Sequence, residues 1–226
     1  MTKGPRSIGV IMDGNRRWAR GRGLPQLEGH REGLARSKDM LLWAEEAGIE
    51  EITLYAFSTE NWNRAAEEVA YLMDLFREGI EDLFGEVMRR DFRMQFIGER
   101  ARMPNDIQRL METCEARSGQ NTRGTMVLAL SYGGRAEILS AVNRVLVAGR
   151  EQVTEEELRS AMWSSGLSDP DLIIRTGGEK RLSNFLTWQS VYSELFFTDT
   201  MWPDFSRKEF NGILADFASR ERRPGA

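Results

Sequence analysis

The sequence predicts an α/β fold, a single domain over residues 1–226 in which helices flank a central parallel β-sheet. Short, near-continuous apolar runs recur along the chain, as strands buried on both faces require. Helical patterns separate one run from the next, the alternation that builds a parallel sheet. The scale agrees: 226 residues, 41% apolar and 29% charged, suffice for one sizeable core.

Taken in order, residues 7–12 form the first expected strand, and Asp13-Gly14 follow it. Gly14 permits a tight turn, and the next segment can open a helix whose free amides face an anion. Residues 30–47 read as a helix and 51–57 as a strand that runs into a polar turn. Residues 65–90 read as a long helix, with Val69, Leu72, Met73, Phe76, Ile80, Leu83, Phe84 and Val87 at helical spacing. That stripe is core-forming, and it could also wall an apolar tunnel. A strand at 92–97, a helix at 105–117 and a strand at 125–131 come next. Helices at 135–148 and 154–163 then precede a strand at 171–176. Ligands of open parallel sheets sit beyond the carboxyl ends of the strands, so the residues placed there carry the functional argument.

Several classes are excluded first. No apolar run approaches the roughly 20 residues that span a bilayer, and the opening MTKGPRS lacks the apolar core of a secretion signal. A single cysteine, Cys114, forms no internal disulfide and no multi-cysteine metal site, which suits a reducing cytoplasm. A net charge of −4 argues against nucleic acid as a partner. There is no P-loop, no GxGxxG and no Cys/His nucleophile set. Arginine supplies 27 of the 31 basic residues, a fork that matches phosphate oxygens in pairs.

The strand ends then read as two phosphate sites. After the first strand, MDGNRRWAR places Asp13 ahead of Asn15, Arg16, Arg17 and Trp18. A carboxylate there would repel a phosphate unless a divalent cation lay between them, which is how magnesium is commonly held. A helix cap with solvated arginines is the plainer alternative. The only histidine, His30, lies between Gly29 and Gly33 and could donate to the same phosphate. The second strand ends YAFSTENWNR, where Ser58, Thr59, Glu60, Asn61, Trp62 and Arg64 crowd more polar groups than one cap needs. The late strand ends IRTGGEKRLSNF. Arg175, Arg181, Leu182 and Ser183, with the amides at Gly177 and Gly178, suggest a second oxyanion site. Glu194 follows, a second carboxylate able to serve the cation of Asp13. Two oxyanion sites, a hard metal and an apolar wall together suggest isoprenoid diphosphate chemistry.

With IMDGNRRWA, GHREG, LYAFSTENWNR, SYGGRAEI, IRTGGEKRLSNFLTWQSVYSELFFTDTMWPDF and FASRERR in this order, the chain resembles the cis-prenyltransferases of the undecaprenyl diphosphate synthase type. The resemblance covers nearly the whole chain, and the DDxxD motifs of the trans enzymes are absent. It implies a Mg²⁺-dependent homodimer that condenses isopentenyl diphosphate onto an allylic diphosphate, with farnesyl diphosphate as the expected primer, and forms new Z double bonds. Peripheral membrane contact for product release accompanies that expectation. By resemblance, Asp13 takes the metal and the central catalytic role. Gly14, Asn15, Arg16, Arg17, Trp18, Gln26 and His30 surround the allylic diphosphate. Asn61, beside Ser58, assists proton removal, while Thr59, Glu60, Trp62 and Arg64 contact substrate. Arg175, Arg181, Leu182 and Ser183 hold isopentenyl diphosphate. Glu194, from the partner subunit or its own, completes the metal site. Two positions depart from the family pattern: Gln26, where an arginine is usual, and Ser131, where asparagine is common. The long stripe on the 65–90 helix favours a long, undecaprenyl-class product over a short one. A silent subunit and a phosphate-binding module are the rival readings.

Overall fold

The computed structural model describes residues 4–150 and 152–220. Residues 221–223 of the FASRERR motif and 1–3 of the opening segment lie outside the described residues.

Six parallel strands form one sheet: β1 (Ser7–Ile11), β2 (Glu51–Ser58), β3 (Phe92–Ile97), β4 (Gly124–Tyr132), β5 (Leu172–Arg175) and β6 (Glu194–Phe197). Their spatial order is β3-β4-β2-β1-β5-β6. The five expected strands are present, and β6 is an addition at the edge. The helices are α1 (Asn15–Gly21), α2 (Gln26–Glu46), α3 (Ala66–Arg89), α4 (Asn105–Ser118), α5 (Gly134–Val147), α6 (Glu155–Ala161) and α7 (Arg207–Ser219). Helix α2 begins at Gln26, four residues before the expected start, because Pro25 supplies an extended N-cap with φ −54° and ψ 139°. Proline also precedes α4, and Thr154 caps α6 through Glu157.

Every residue of β1 and β4 is buried, as strands covered on both faces must be. The two-residue period of a strand sorts those side chains into two layers. Ile8, Val10, Ile52, Leu54, Met126, Leu128 and Leu130 join α2, α3, α4 and α7 in the larger core. Ile11, Val127, Ala129 and Ile173 face the other way, against Tyr132, Phe185 and Leu186. The carboxyl ends of β1, β2 and β5 lie side by side in the middle of the sheet, with Ile11 paired to both Tyr55 and Arg175.

Candidate active site

Asp13 is held by its backbone before its carboxylate is considered. Its carbonyl accepts from Trp202 N at 3.0 Å and from Thr176 Oγ1 at 2.7 Å. Gly14 then turns with φ 109°, and a Cβ there would lie 2.7 Å from Met201 Sδ. The carboxylate points at two cations: Arg175 Nη2 donates to Oδ2 at 2.9 Å, and Arg17 Nη2 lies 3.2 Å from Oδ1. Arg175 is 5% exposed at its side chain, and its second nitrogen donates to Ser183 Oγ at 2.8 Å and to the Arg181 carbonyl. One buried guanidinium therefore joins the two expected phosphate sites. Arg175 Nε has no protein partner.

Beside Asp13, α1 nests on α2 more closely than side chains allow. A Cβ on Gly29 would lie 2.0 Å from the Asn15 carbonyl oxygen, and one on Gly33 2.5 Å from Asn15 Oδ1. The glycines flanking His30 thus serve helix packing. The crevice between these helices and Arg64 is polar, about 330 Å³, and lined by Arg16, Arg17, Arg20, Gln26, His30 and Arg64. Burial lowers the His30 pKa to about 4, with the Arg64 and Arg16 charges acting the same way and Glu68 opposing them. Its imidazole is therefore neutral at pH 7, and its buried Nε2 has no hydrogen-bond partner. Gln26 Oε1 accepts from Arg16 Nε at 2.8 Å, so the departure at this position orients a neighbouring cation. Glu68, which sequence reasoning passed over, accepts from Arg64 at 3.0 Å and lies 3.7 Å from Arg16. Its signal was an i,i+4 pair, which reads as an ordinary helix-surface contact.

The turn after β2 is a 3₁₀ segment, Thr59–Asn63, closed by a reciprocal cap between Ser58 and Asn61. Asn61 Oδ1 accepts from Ser58 N at 3.0 Å, which leaves its amide hydrogens as the groups available to a ligand. Ser58, Asn61 and Arg64 meet Asp13, His30 and Arg175 at one cavity of about 260 Å³. Its mouth is polar and its body apolar: Leu34, Leu72, Leu75, Phe76, Ile80 and Leu83 line it between α2 and α3. Half of the predicted stripe (Leu72, Phe76, Ile80, Leu83) faces this cavity, while Met73, Phe84 and Val87 pack in the core.

Other expected contributors lie elsewhere. Trp18 Nε1 donates to Asp204 at 2.7 Å, and Arg22 stacks on its ring. Trp62 donates to Ser131 Oγ at 2.9 Å and packs edge-on against Phe57. Neither indole lines the polar crevice or the apolar cavity. Thr59 faces Gly133, and Glu60 accepts from Asn184 at 2.9 Å. Leu182 packs on the smaller core layer. Arg181 is exposed and paired with Glu179. The amides of Gly177 and Gly178 donate to the Thr200 and Thr198 carbonyls at 2.8 Å each, so they are not free for an anion. Glu194 is a correction for the chain taken alone. It opens β6 level with Leu172, roughly 10 Å down the strand from Arg175. There it pairs with Arg220 at 2.6 Å, so its own-chain carboxylate does not join Asp13.

A neutral imidazole and arginines around one carboxylate, opening into an apolar cavity, suit a ligand with an anionic head and a hydrocarbon tail. The comparisons agree. The sequence model of the family described as "Putative undecaprenyl diphosphate synthase" matches residues 11–225. An isoprenyl transferase of Aquifex pyrophilus is 45% identical over 98% of this chain and 96% of its own length. One from Chromobacterium violaceum is 42% identical over 98% of this chain and 88% of its own. The crystal structure of lavandulyl diphosphate synthase from Lavandula x intermedia, in complex with dimethylallyl diphosphate, superposes with a TM-score of 0.93. It is 31% identical and covers 98% of both chains. The chain belongs to the undecaprenyl diphosphate synthase family of prenyltransferases.

Proposed function

We propose that this prenyltransferase condenses isopentenyl diphosphate onto an allylic diphosphate, farnesyl diphosphate in the leading case, with each new double bond Z. The observation that carries the reading is the single cavity whose mouth holds Asp13, His30, Asn61 and Arg175 and whose body is apolar. The allylic diphosphate lies in the crevice of Arg16, Arg17, His30 and Arg64, with the free amides at the start of α1 facing it. Its tail enters the cavity between α2 and α3. Isopentenyl diphosphate is held by Arg175, Arg181 and Ser183. The allylic C–O bond breaks with its electron pair leaving on diphosphate, and the isopentenyl double bond attacks the carbon left behind. The proton lost from the isopentenyl unit passes to the departing diphosphate. Asn61, a poor base, orients that transfer through its amide hydrogens. Holding both substrates in line removes much of the entropic barrier, and the fixed arginines stabilise the charge that develops.

A single carboxylate with substrate phosphates and waters is a donor set that suits Mg²⁺, and no cluster of three or more metal-binding side chains occurs among the described residues. Asp13 would hold the ion, and the ion would neutralise charge on the leaving diphosphate. Glu194 of a partner subunit is its second expected ligand. Leu139, Leu146 and Val147, exposed along α5, support the homodimer by offering an apolar face. No helix among the described residues is long and apolar enough to cross a membrane. We place the enzyme in the cytoplasm, touching the membrane only to release product.

The leading reading for product is a long, undecaprenyl-class chain. One observation favours a short product instead: a dry cavity of roughly 150 Å³ holds benzene, so about 260 Å³ suits a tail of some ten carbons. Incubating the protein with labelled isopentenyl diphosphate and several allylic primers, then sizing the products, tests both readings. No carbon–carbon bond formation with any primer would overturn the proposal.

A further inference from the structure

The loop that carries Ser183 runs through an uncommon backbone. Ser183 has φ 49°, Asn184 φ 67° and Leu186 φ 43°, and none of them is glycine. Such a run persists only where neighbours fix it, and here one residue, Asn184, gathers the fixing contacts, two of them through its side chain. Asn184 Oδ1 accepts from Arg135 N at 2.9 Å, and its carbonyl accepts from Gly134 N at 2.7 Å. Its Nδ2 donates to Glu60 Oε1 at 2.9 Å. These bonds tie the loop to the start of α5 on one side and to the Thr59–Asn63 turn on the other. The glycines of SYGG make room for it. A Cβ on Gly133 would lie 2.6 Å from Asn184 Nδ2, and one on Gly134 2.4 Å from Thr187 Oγ1. The adjacent Ser183 hydroxyl is thereby held where Arg175 Nη1 reaches it at 2.8 Å.

We propose that Asn184 is a positioning residue that sets the Arg175–Ser183 oxyanion site and couples it, through Glu60, to the turn carrying Asn61. The inference rests on the reading of that site as the isopentenyl diphosphate site. Without the amide, the loop loses its tie to the Thr59–Asn63 turn and keeps only the backbone bond to Gly134 at the start of α5, so Ser183 can relax from its left-handed backbone. Of the groups around the allylic head, Arg16, Arg17 and His30 stand on α1 and α2 away from these contacts. Arg64, at the end of the Thr59–Asn63 turn, is held also by Glu68 on α3.

The test is titration calorimetry of the full-length protein with isopentenyl diphosphate and separately with farnesyl diphosphate, alongside KM and kcat. Asn184→Gly keeps the backbone conformation accessible and removes the side chain. It should weaken isopentenyl diphosphate binding roughly tenfold and leave farnesyl diphosphate binding within about twofold. Asn184→Asp keeps the acceptor for Arg135 N but sets two carboxylates against each other, and should weaken binding as much. The double variant Asn184→Asp/Glu60→Gln restores a donor–acceptor pair with its direction reversed, and should recover most of the loss. Equal binding by wild type and Asn184→Gly would overturn the inference. So would equal weakening for both substrates, or no recovery in the double variant, since each marks a general structural role. Failure of the reading beneath it would show in the wild type, which would then bind no isopentenyl diphosphate.

Discussion

At the scale of single residues, the site is an arrangement of cations around one carboxylate. Asp13→Asn keeps the shape and removes the charge that Arg17 and Arg175 face. Turnover should fall by orders of magnitude, roughly 10³-fold, while the melting temperature changes by only a few degrees. Steady-state kinetics and calorimetry check the pair, and an active variant would remove Asp13 from the mechanism. EDTA should abolish wild-type turnover if the proposed ion is required. His30 yields a prediction about pH. Its pKa is lowered from 6.5 to about 4, first by burial and then by Arg64 and Arg16, with Glu68 opposing. Between those values the unfolded chain binds the proton and the folded chain does not, so stability falls as pH drops through the window. The cost below pH 4 is about 3 kcal/mol at most. Urea midpoints from pH 7 to 4 should therefore fall less steeply for His30→Gln than for wild type.

At the scale of elements, glycine decides how closely α1 and α2 approach. Gly29→Ala would set a Cβ 2.0 Å from a backbone oxygen, so α1 must shift. A loss of about 2–4 kcal/mol is expected. Gly85→Ala, where nothing lies within 4 Å, should be neutral or stabilising by up to about 1 kcal/mol. Denaturant midpoints compare the two. The sequence showed glycines beside His30 but could not say whether they faced a phosphate or a helix, because close approach is a tertiary property. Strands β1, β2 and β4 were legible as mostly buried apolar runs, β5 as four buried residues, and β3 by its alternation of buried apolar and more exposed polar side chains. Strand β6 has four residues of which only Phe196 is buried, so unlike the equally short β5 it makes no buried run. Helix α7 was passed over because Asn211-Gly212, a strong turn signal, lies in its middle. The positions whose side chains lie away from the cavity within this chain share a cause. Trp18, Trp62 and Glu194 stand in the right motifs, but their partners Asp204, Ser131 and Arg220 are far away in sequence.

At the scale of the whole molecule, the sheet and two helices enclose an apolar cavity, which on the proposed function is the ruler of product length. Helices α2 and α3 touch where Gly79 meets Leu34, and a Cβ at Gly79 would lie 2.6 Å from that leucine. At about 260 Å³ the cavity takes about ten carbons, so the fifteen-carbon tail of farnesyl diphosphate already has to part these helices or reach out through the mouth. On the proposed function, growth would be favoured by roughly 0.8 kcal/mol for each buried CH₂ and would stop where the cost of opening the helix pair exceeds that gain. Ala56 lies on the wall near the head of this space, beside Tyr55 and Ser58. Ala56→Leu adds bulk on that wall. It should shorten the product from farnesyl diphosphate by at least one five-carbon unit while leaving the KM for isopentenyl diphosphate within about twofold. Mass spectrometry of the dephosphorylated product reads the length directly. An unchanged length would show that the space between α2, α3 and the strands is not the ruler, and would move the search for the ruler to another part of the molecule.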